Sequence, residues 1–303
     1  MGKREAGLAN RRLVASFFTR EQEFQGLQAT DVRAAAERCR FEVEVLDAGD
    51  NPVLQIQQLF RVIHAPVEER PLALIVQTRV PDGLERVARN AIEAGIGWVL
   101  LNRTAGYLEA LRSEHPGLVI ASVTTDHEEI GRIQARQFRA LLPRGGSVLY
   151  VQGPPETAAA QARLKGMAAE IAGAGIEVKV VAAEWTEASA ESAVSAWLRL
   201  KTSKLFRADL VGCQNDALAL GARKALRAHP PEWVPVPFTG CDGLPEGGQR
   251  LVRAGELAAT IVLDSCAGPA VELLDGSLKS GQPPPATLVI PPRSFPPVEE
   301  LGA

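Results

Sequence analysis

Residues 72–102 decide the fold. Leu72-Ala73-Leu74-Ile75-Val76-Gln77 is a short apolar run, Leu84 to Ala94 is an amphipathic stretch, and Gly97-Trp98-Val99-Leu100-Leu101-Asn102 is a second apolar run. Neither run is long enough for a helix of ordinary length, and neither alternates apolar with polar residues. Runs of this kind are strands covered on both faces, the situation of a parallel sheet, where every side chain is buried. The amphipathic stretch between them supplies the crossover helix that a parallel connection needs.

Working outward, the same unit repeats almost from end to end. Strands are expected near Leu13–Phe18, Phe41–Asp47, Leu72–Gln77, Gly97–Asn102 and Leu118–Val123, then in a second series near Ser147–Gln152, Glu177–Ala182, Ala208–Cys213, Val236–Gly240 and Ala259–Leu263. Helices are expected around Ala29–Arg40, Val53–His64, Leu84–Ala94, Glu128–Leu142, Ala158–Ala172, Ser189–Lys201, Ala217–Ala228 and Glu246–Ala254. Two such series predict an α/β chain of two similar lobes, each a parallel sheet with helices on both faces. On the Glu128–Leu142 helix, Ile130, Ile133, Phe138, Leu141 and Leu142 form an apolar stripe, and Arg132, Arg136 and Arg139 read as a solvated face. The proline-rich tail from Gln282 to Pro297 reads as extended, a closing crossover or terminal wrap.

Composition narrows the function. The 303 residues, 46% hydrophobic and 23% charged, suffice for two domains with their own cores. A net charge of −3 offers no basic field for nucleic acid, so this chain alone is not expected to bind it. The apolar runs fall far short of the roughly 20 residues of a membrane span, so no membrane insertion is expected. Cys39, Cys213, Cys241 and Cys266 show no zinc-ligand spacing, so no metal site is expected. Buried free thiols are favoured over disulfides, with Cys213 and Cys241 the one pair that could meet. The amino terminus, Met1-Gly2-Lys3-Arg4 through Leu13–Phe18, lacks the apolar region of a secretory signal, which predicts a cytoplasmic chain as written and an envelope location if the true start lies upstream.

The usual enzyme signatures do not occur in the sequence. The first strand is followed by Thr19-Arg20-Glu21-Gln22-Glu23 and not by a glycine-rich dinucleotide loop, and no phosphate-loop, zinc-protease or nucleophile-elbow motif occurs. No catalytic residue and no cofactor is therefore expected.

In an open α/β sheet, ligands bind beyond the carboxyl ends of the strands. The polar and aromatic residues at those places are Gln22, Phe24, Gln77, Asn102, Arg103 and Asp126 in the first series. The second series adds Arg163, Trp185, Asn215 and Asp242. Planar hydrogen-bonding groups suit vicinal hydroxyls, and aromatic faces suit the C–H patches of a sugar. Each residue also has a plainer reading: Asp126 as a helix cap, Trp185 as a packed aromatic, Arg163 as a solvated helix residue. Asp216, before Ala217–Ala228, reads as a cap and not as a ligand contact. Only the joint pattern points to a ligand.

Two segments carry a specific resemblance. Cys213-Gln214-Asn215-Asp216-Ala217-Leu218-Ala219-Leu220-Gly221-Ala222 resembles the QND-x-x-A-x-G-A segment of ribose-binding-protein-like periplasmic receptors, and Gly240-Cys241-Asp242-Gly243 followed by Gly255-Glu256-Leu257-Ala258-Ala259-Thr260-Ile261 resembles their G-F-D-G and G-x-L-A-A-T-I segments. Val45 to Pro52, Asn102-Arg103 and Arg163-Leu164-Lys165-Gly166-Met167 also match, so the likeness runs from about Leu13 to about Val289.

The resemblance implies the type I periplasmic-binding-protein fold, with lobes of 11–124 plus 265–288 and of 125–264 plus 289–303, joined by a multi-crossover hinge around a ligand cleft. It implies that Phe24 and Trp185 stack on the ligand while Arg103, Arg163, Asn215 and Asp242 hydrogen-bond it. Departures stand at Asn102 (usually Asp), Gln25 (aromatic), Cys241 (Phe), Gln77 (Asn) and Leu263 (Gln), so ribose specificity is not implied.

The expected function is a solute receptor for a sugar or sugar-like molecule that works by hinge closure and is read by ABC-transporter membrane subunits or a sensor protein. A stand-alone cytoplasmic sensor keeps the same fold. So does the effector core of a lactose-repressor-type regulator, although a first strand at Leu13 leaves no room for a DNA-binding head. A sugar-converting enzyme is the reading from another class.

Overall fold

The computed structural model describes residues 11–79, 81–200, 206–228 and 236–302. The amino-terminal reading over residues 1–10 and the expected helix end at Lys201 lie outside the described residues. Contacts divide the chain into two units, the first running to Thr125 and resuming over Ser265–Ile290, the second comprising Asp126–Asp264 and the chain from Pro291 on.

The first unit contains β1 (Arg12–Phe17), α1 (Glu23–Arg38), β2 (Glu42–Asp47), α2 (Pro52–Ile63), β3 (Ala73–Gln77), α3 (Glu85–Glu93), β4 (Gly97–Leu101), α4 (Tyr107–Glu114) and β5 (Ile120–Thr125). The second holds α5 (His127–Leu141), β6 (Gly146–Gln152), α6 (Ala158–Glu170), β7 (Ile176–Ala182), α7 (Glu187–Leu198), β8 (Leu210–Cys213), α8 (Asp216–Arg227), β9 (Phe238–Thr239), α9 (Gly248–Arg253) and β10 (Thr260–Val262). The chain then returns to the first unit as α10 (Ala267–Ser280) and β11 (Thr287–Ile290), and ends in the second with β12 (Arg293–Phe295).

Successive strand residues face opposite ways, and this divides the first unit's core in two. Val14, Leu74, Val76, Trp98 and Leu100 pack under α2, α3 and α4 with Leu59, Ile63, Val87, Ile92 and Leu111. Their sequence neighbours Leu13, Ala15, Phe17, Ala73, Ile75, Val99 and Leu101 pack under α1 and α10 with Val32, Ala36, Val271 and Leu274. Removing a Leu, Val or Ile side chain of this kind from water contributes about 1.5–3 kcal/mol, which is why continuous apolar runs specify these strands. The sheet order is β11-β5-β4-β3-β1-β2, with every pair parallel.

The second unit follows the same logic. Leu149, Val151, Val211 and Cys213 face α7 and α8, while Val148, Tyr150 and Leu210 face α5 and α6 through Phe138 and Met167. Its parallel sheet has the order β7-β6-β8-β9. Here the expected fifth parallel strand is corrected: β10 pairs antiparallel with β12 and touches the sheet through single parallel bridges, Thr239 with Ala259 and Asp242 with Val262. The backbone here still bonds to the chain around β9, Gly240 donating to Ala259, Asp242 to Ile261 and Leu263 to Asp242, while the buried Asp216 carboxylate accepts the Thr260 hydroxyl at 2.7 Å and the Gly243 amide at 2.8 Å.

Four further elements go beyond the strands and helices expected above. α4 and α10 have no counterpart in the sequence expectation, and the tail contributes β11 to the first sheet and β12 to the second unit. Arg132, Arg136 and Arg139 are partly exposed and engaged in ion pairs, Arg132 and Arg136 with Glu129, Arg139 with Glu170.

Candidate functional site

Each sheet reverses its winding at one place. In the first unit the reversal lies between β1 and β3, and in the second between β6 and β8. The loops leaving the carboxyl ends of such neighbours separate and leave room for a ligand. A glutamine holds each opening: Gln77 Oε1 accepts the Phe18 amide at 3.0 Å, and Gln214 Oε1 accepts the Gly153 amide at 3.0 Å. A second buried glutamine closes each strand end, Gln55 donating to the Gln77 carbonyl at 2.8 Å and Gln134 donating to the Cys213 carbonyl at 2.7 Å.

On the first unit, Gln22 stands at the amino terminus of α1 without making a side-chain cap, and Phe24 follows in the first turn; both are half-buried. Asn102 follows β4 with φ of 61°, a left-handed conformation that asparagine tolerates better than most residues. Its amide donates to Cys266 Sγ at 3.5 Å, and the Cys266 amide donates to Gln28 Oε1 at 3.3 Å, tying the end of β4 to α1 and the start of α10. Arg103 is steadied by its Nε, which donates to the Thr78 carbonyl at 3.0 Å. Burial pushes the Cys266 thiol up to about 11.

The second unit gathers its residues more tightly. Trp185, after β7, lies against Gly153 so closely that a Cβ there would stand 2.3 Å from a ring atom. Arg163 on α6 lies over the same indole, its Cζ 5.6 Å from the ring centroid. One guanidinium nitrogen donates to the Gln214 carbonyl, while the buried Nε has no hydrogen-bond partner. Asn215 caps α8 by accepting the Leu218 amide at 2.7 Å, and its own amide donates to the Trp185 carbonyl at 3.4 Å. Asp242, after β9, is held at φ of 102°, a strained value for a residue with a side chain, of the sort that gathers at functional sites.

Several sequence readings change here. Arg163, read singly as a solvated residue, is only 5% exposed. Asn215 caps α8, and Asp216, expected as the cap, is its first residue and turns inward. Asp126 does cap α5, its Oδ1 accepting the Glu129 amide at 2.9 Å, which commits one oxygen of a residue also placed among the ligand groups. Gln77 likewise has its side-chain oxygen committed to Phe18. Thus Arg163, Trp185 and Asn215 meet around Gly153 and Gln214, while Gln77, Asn102 and Arg103 line neighbouring strand ends of the first sheet. Gln214 and Gly153 are not among the expected site residues; the signal for Gln214 is its place in the Gln214-Asn215-Asp216 segment.

All four cysteines are free, Cys213, Cys241 and Cys266 being buried. Burial raises the Cys213 thiol and carries that of Cys241 to about 12. Among the described residues no group of three or more His, Cys, Asp or Glu side chains is placed to hold a metal ion, and no helix is long and apolar enough to cross a membrane.

Parallel sheets flanked by helices in two units, with polar and aromatic groups collected where each sheet reverses, define a binding protein of the doubly wound α/β class. The family described as periplasmic binding protein domain matches residues 14–266, and the chain belongs to that family. It is 34% identical over 174 residues to the D-galactose/methyl-galactoside binding periplasmic protein MglB of Haemophilus influenzae, a stretch that covers 53% of this chain and 51% of that protein. The matched stretch thus spans about half of that relative.

Among solved structures, a periplasmic solute-binding protein of an ABC transporter from Actinobacillus succinogenes 130z with bound D-allose superposes with a TM-score of 0.81 at 20% identity, covering 94% of this chain and 97% of that one. The Caulobacter myo-inositol binding protein gives 0.77 at 22% identity, covering 94% and 92%. At these identities the likeness shows the fold.

Proposed function

We propose that the chain is a receptor for a small sugar-like solute, held by the strand-end groups of both units and released unchanged. The observation that carries this reading is Arg163. A guanidinium 5% exposed, stacked on Trp185 and leaving its Nε without a partner, is costly unless a ligand supplies an acceptor. Asn215 and Gln214 brace the carbonyls and amides around it, so the groups facing a ligand are fixed before it arrives. Arg103 and Asn102 offer matching hydrogen-bonding groups on the first unit.

A solute that engages both sets favours the state in which both reach it, and this differential affinity shifts the population without any bond being broken. The chain passes between units after Thr125, Asp264 and Ile290, and these junctions are where such a hinge would act. Membrane subunits of an ABC transporter or a sensor protein would read the closed state. Similarity to a galactose-binding relative and to proteins with bound allose and myo-inositol supports a polyhydroxylated ligand.

The test is a thermal-shift screen over pentoses, hexoses, polyols and furanosides. Ligand-linked stabilisation reaches about 2.7 kcal/mol at a hundred times Kd, so a true ligand raises Tm by several degrees. Flat melting curves across the panel, with new product appearing by NMR, would favour the enzyme reading instead.

A further inference from the structure

We propose that Gln25 is a specificity-determining residue of the first unit, its side-chain amide a fixed donor to one hydroxyl oxygen of the solute, aimed by the buried Gln28. This deepens the receptor reading and rests on it. The argument is the direction in which a short hydrogen-bond chain must run. At one end stands the Cys266 backbone amide, which can only donate, and it donates to Gln28 Oε1 at 3.3 Å. Gln28 is fully buried, so its Nε2 needs an acceptor inside the protein, and it donates to Gln25 Oε1 at 2.8 Å. The Gln25 oxygen is thereby turned inward, and its Nε2, with two N–H donors, is turned away. Gln25 is only half-buried, and none of the described hydrogen bonds uses that nitrogen.

Place selects the partner. Because β1 and β2 are parallel, α1 carries the chain back from the carboxyl end of the sheet, so each turn toward its amino terminus stands further out beyond the strand ends. Gln28 is level with the start of α10 through Cys266, and Gln25 lies one turn further out. Asn102, at the end of β4, reaches the same corner, its amide donating to Cys266 Sγ at 3.5 Å. An exposed glutamine ordinarily loses rotamer freedom when it grips a ligand; here Gln28 holds Gln25 before the solute arrives. A hydroxyl oxygen can accept from the amide, whereas a methylene in its place leaves the donor without the partner it had in water.

The experiment is titration calorimetry of the full chain with D-galactose, D-allose, D-ribose, L-arabinose and myo-inositol, each beside its monodeoxy analogues, on the parent and on Gln25→Leu. For the tightest of these solutes, removing the hydroxyl at one position is expected to weaken binding about fivefold or more in the parent and at most about twofold in Gln25→Leu. Removal at every other position should cost the same in both. A purely structural effect of the substitution would weaken every solute by one common factor, which this double comparison cancels. Gln28→Leu should lower the same single-position cost although Gln25 is kept; an unchanged cost there overturns the aiming role of Gln28. Deoxygenation costs that are equal in the parent and in Gln25→Leu at every position overturn the proposal and leave the receptor reading intact. No binding by any of the parent solutes overturns both.

Discussion

Gly131 of α5 and Arg163 of α6 are in backbone contact: a Cβ on Gly131 would stand 2.0 Å from the Arg163 carbonyl oxygen. Gly166 makes the reciprocal approach, its Cβ position lying 2.0 Å from the Glu128 carbonyl oxygen. The two helices therefore cross through paired glycines, and this crossing sets where the Arg163 guanidinium stands. Gly131→Ala must push the helices apart, and overpacking of this kind costs about 1–3 kcal/mol. Urea denaturation should show a lower midpoint with an unchanged slope, together with a weakened response to ligand.

Gly153 acts on Trp185 in the same way. With ring atoms 2.3 to 2.4 Å from the place a Cβ would take, Gly153→Ala displaces the indole from its seat. Because Trp185 is half-buried at the edge of the core, the fold should survive while ligand binding weakens sharply. Comparing the tryptophan emission of the variant with that of Trp185→Phe checks that the moved ring is this one.

Asp216 closes the irregular end of the second sheet. Its carboxylate accepts from Gly243 and Thr260, so Asp216→Asn turns an amide donor toward one of two existing donors. A loss of about 1–3 kcal/mol is expected for a buried group left mismatched. Thr260→Val, which removes one donor and leaves the acceptor partly served, should cost less; equal losses would mean that the carboxylate is not the organising group.

Glu129 gives the acid limb of the stability curve a test. Burial pushes its carboxyl up, but hydrogen bonds from Arg132 and Arg136 outweigh this and hold it below the usual carboxylate range. A depressed folded value contributes stability above the unfolded value of about 4.3, lost as pH falls through the folded one. Glu129→Gln should therefore be less stable than the parent at pH 7, and the difference should begin to shrink as pH falls below about 4.3 and vanish only below the depressed folded value. A difference that persists at low pH would assign the effect to packing.

Thiol titration separates the four cysteines. Cys213, Cys241 and Cys266 are buried with raised thiols, and Cys39 is partly exposed. Ellman's reagent at pH 8 should find Cys39 reacting first in the native protein, while unfolding in denaturant should release all four. Rapid native reaction of Cys241 would contradict the packing around Asp242.

The strands facing helices on both sides were legible because continuous apolar runs leave little else for β1, β3, β4, β6 and β8 to be. What escaped was built from weaker signals. α10 buries Ala267, Gly268, Ala270 and Val271 against the sheet, small residues with Gly268 and Pro269 in the first turn, which read as loop composition. α4 spans only 8 residues, and its apolar face is Tyr107, Leu108 and Leu111. β9 and β10 span only 2 and 3 residues, and no local pattern announces the Asp216 carboxylate that holds Thr260 and Gly243 beside them. In the site, Arg163 could be named from its place among the second-series residues and in the Arg163-Leu164-Lys165-Gly166-Met167 segment. Its burial could not, because exposure depends on Trp185 and Gln214, distant in sequence and brought there by the sheet.

The most direct measurement is titration calorimetry with the tightest solute from the screen, on the parent chain and on Arg103→Ala in the first unit and Trp185→Ala in the second. One solute bound per chain is expected, with each single substitution weakening it about tenfold or more, equivalent to about 1.4 kcal/mol, while Tm without ligand stays near that of the parent. A solute whose affinity is untouched by one of the two substitutions would contradict joint capture by both units.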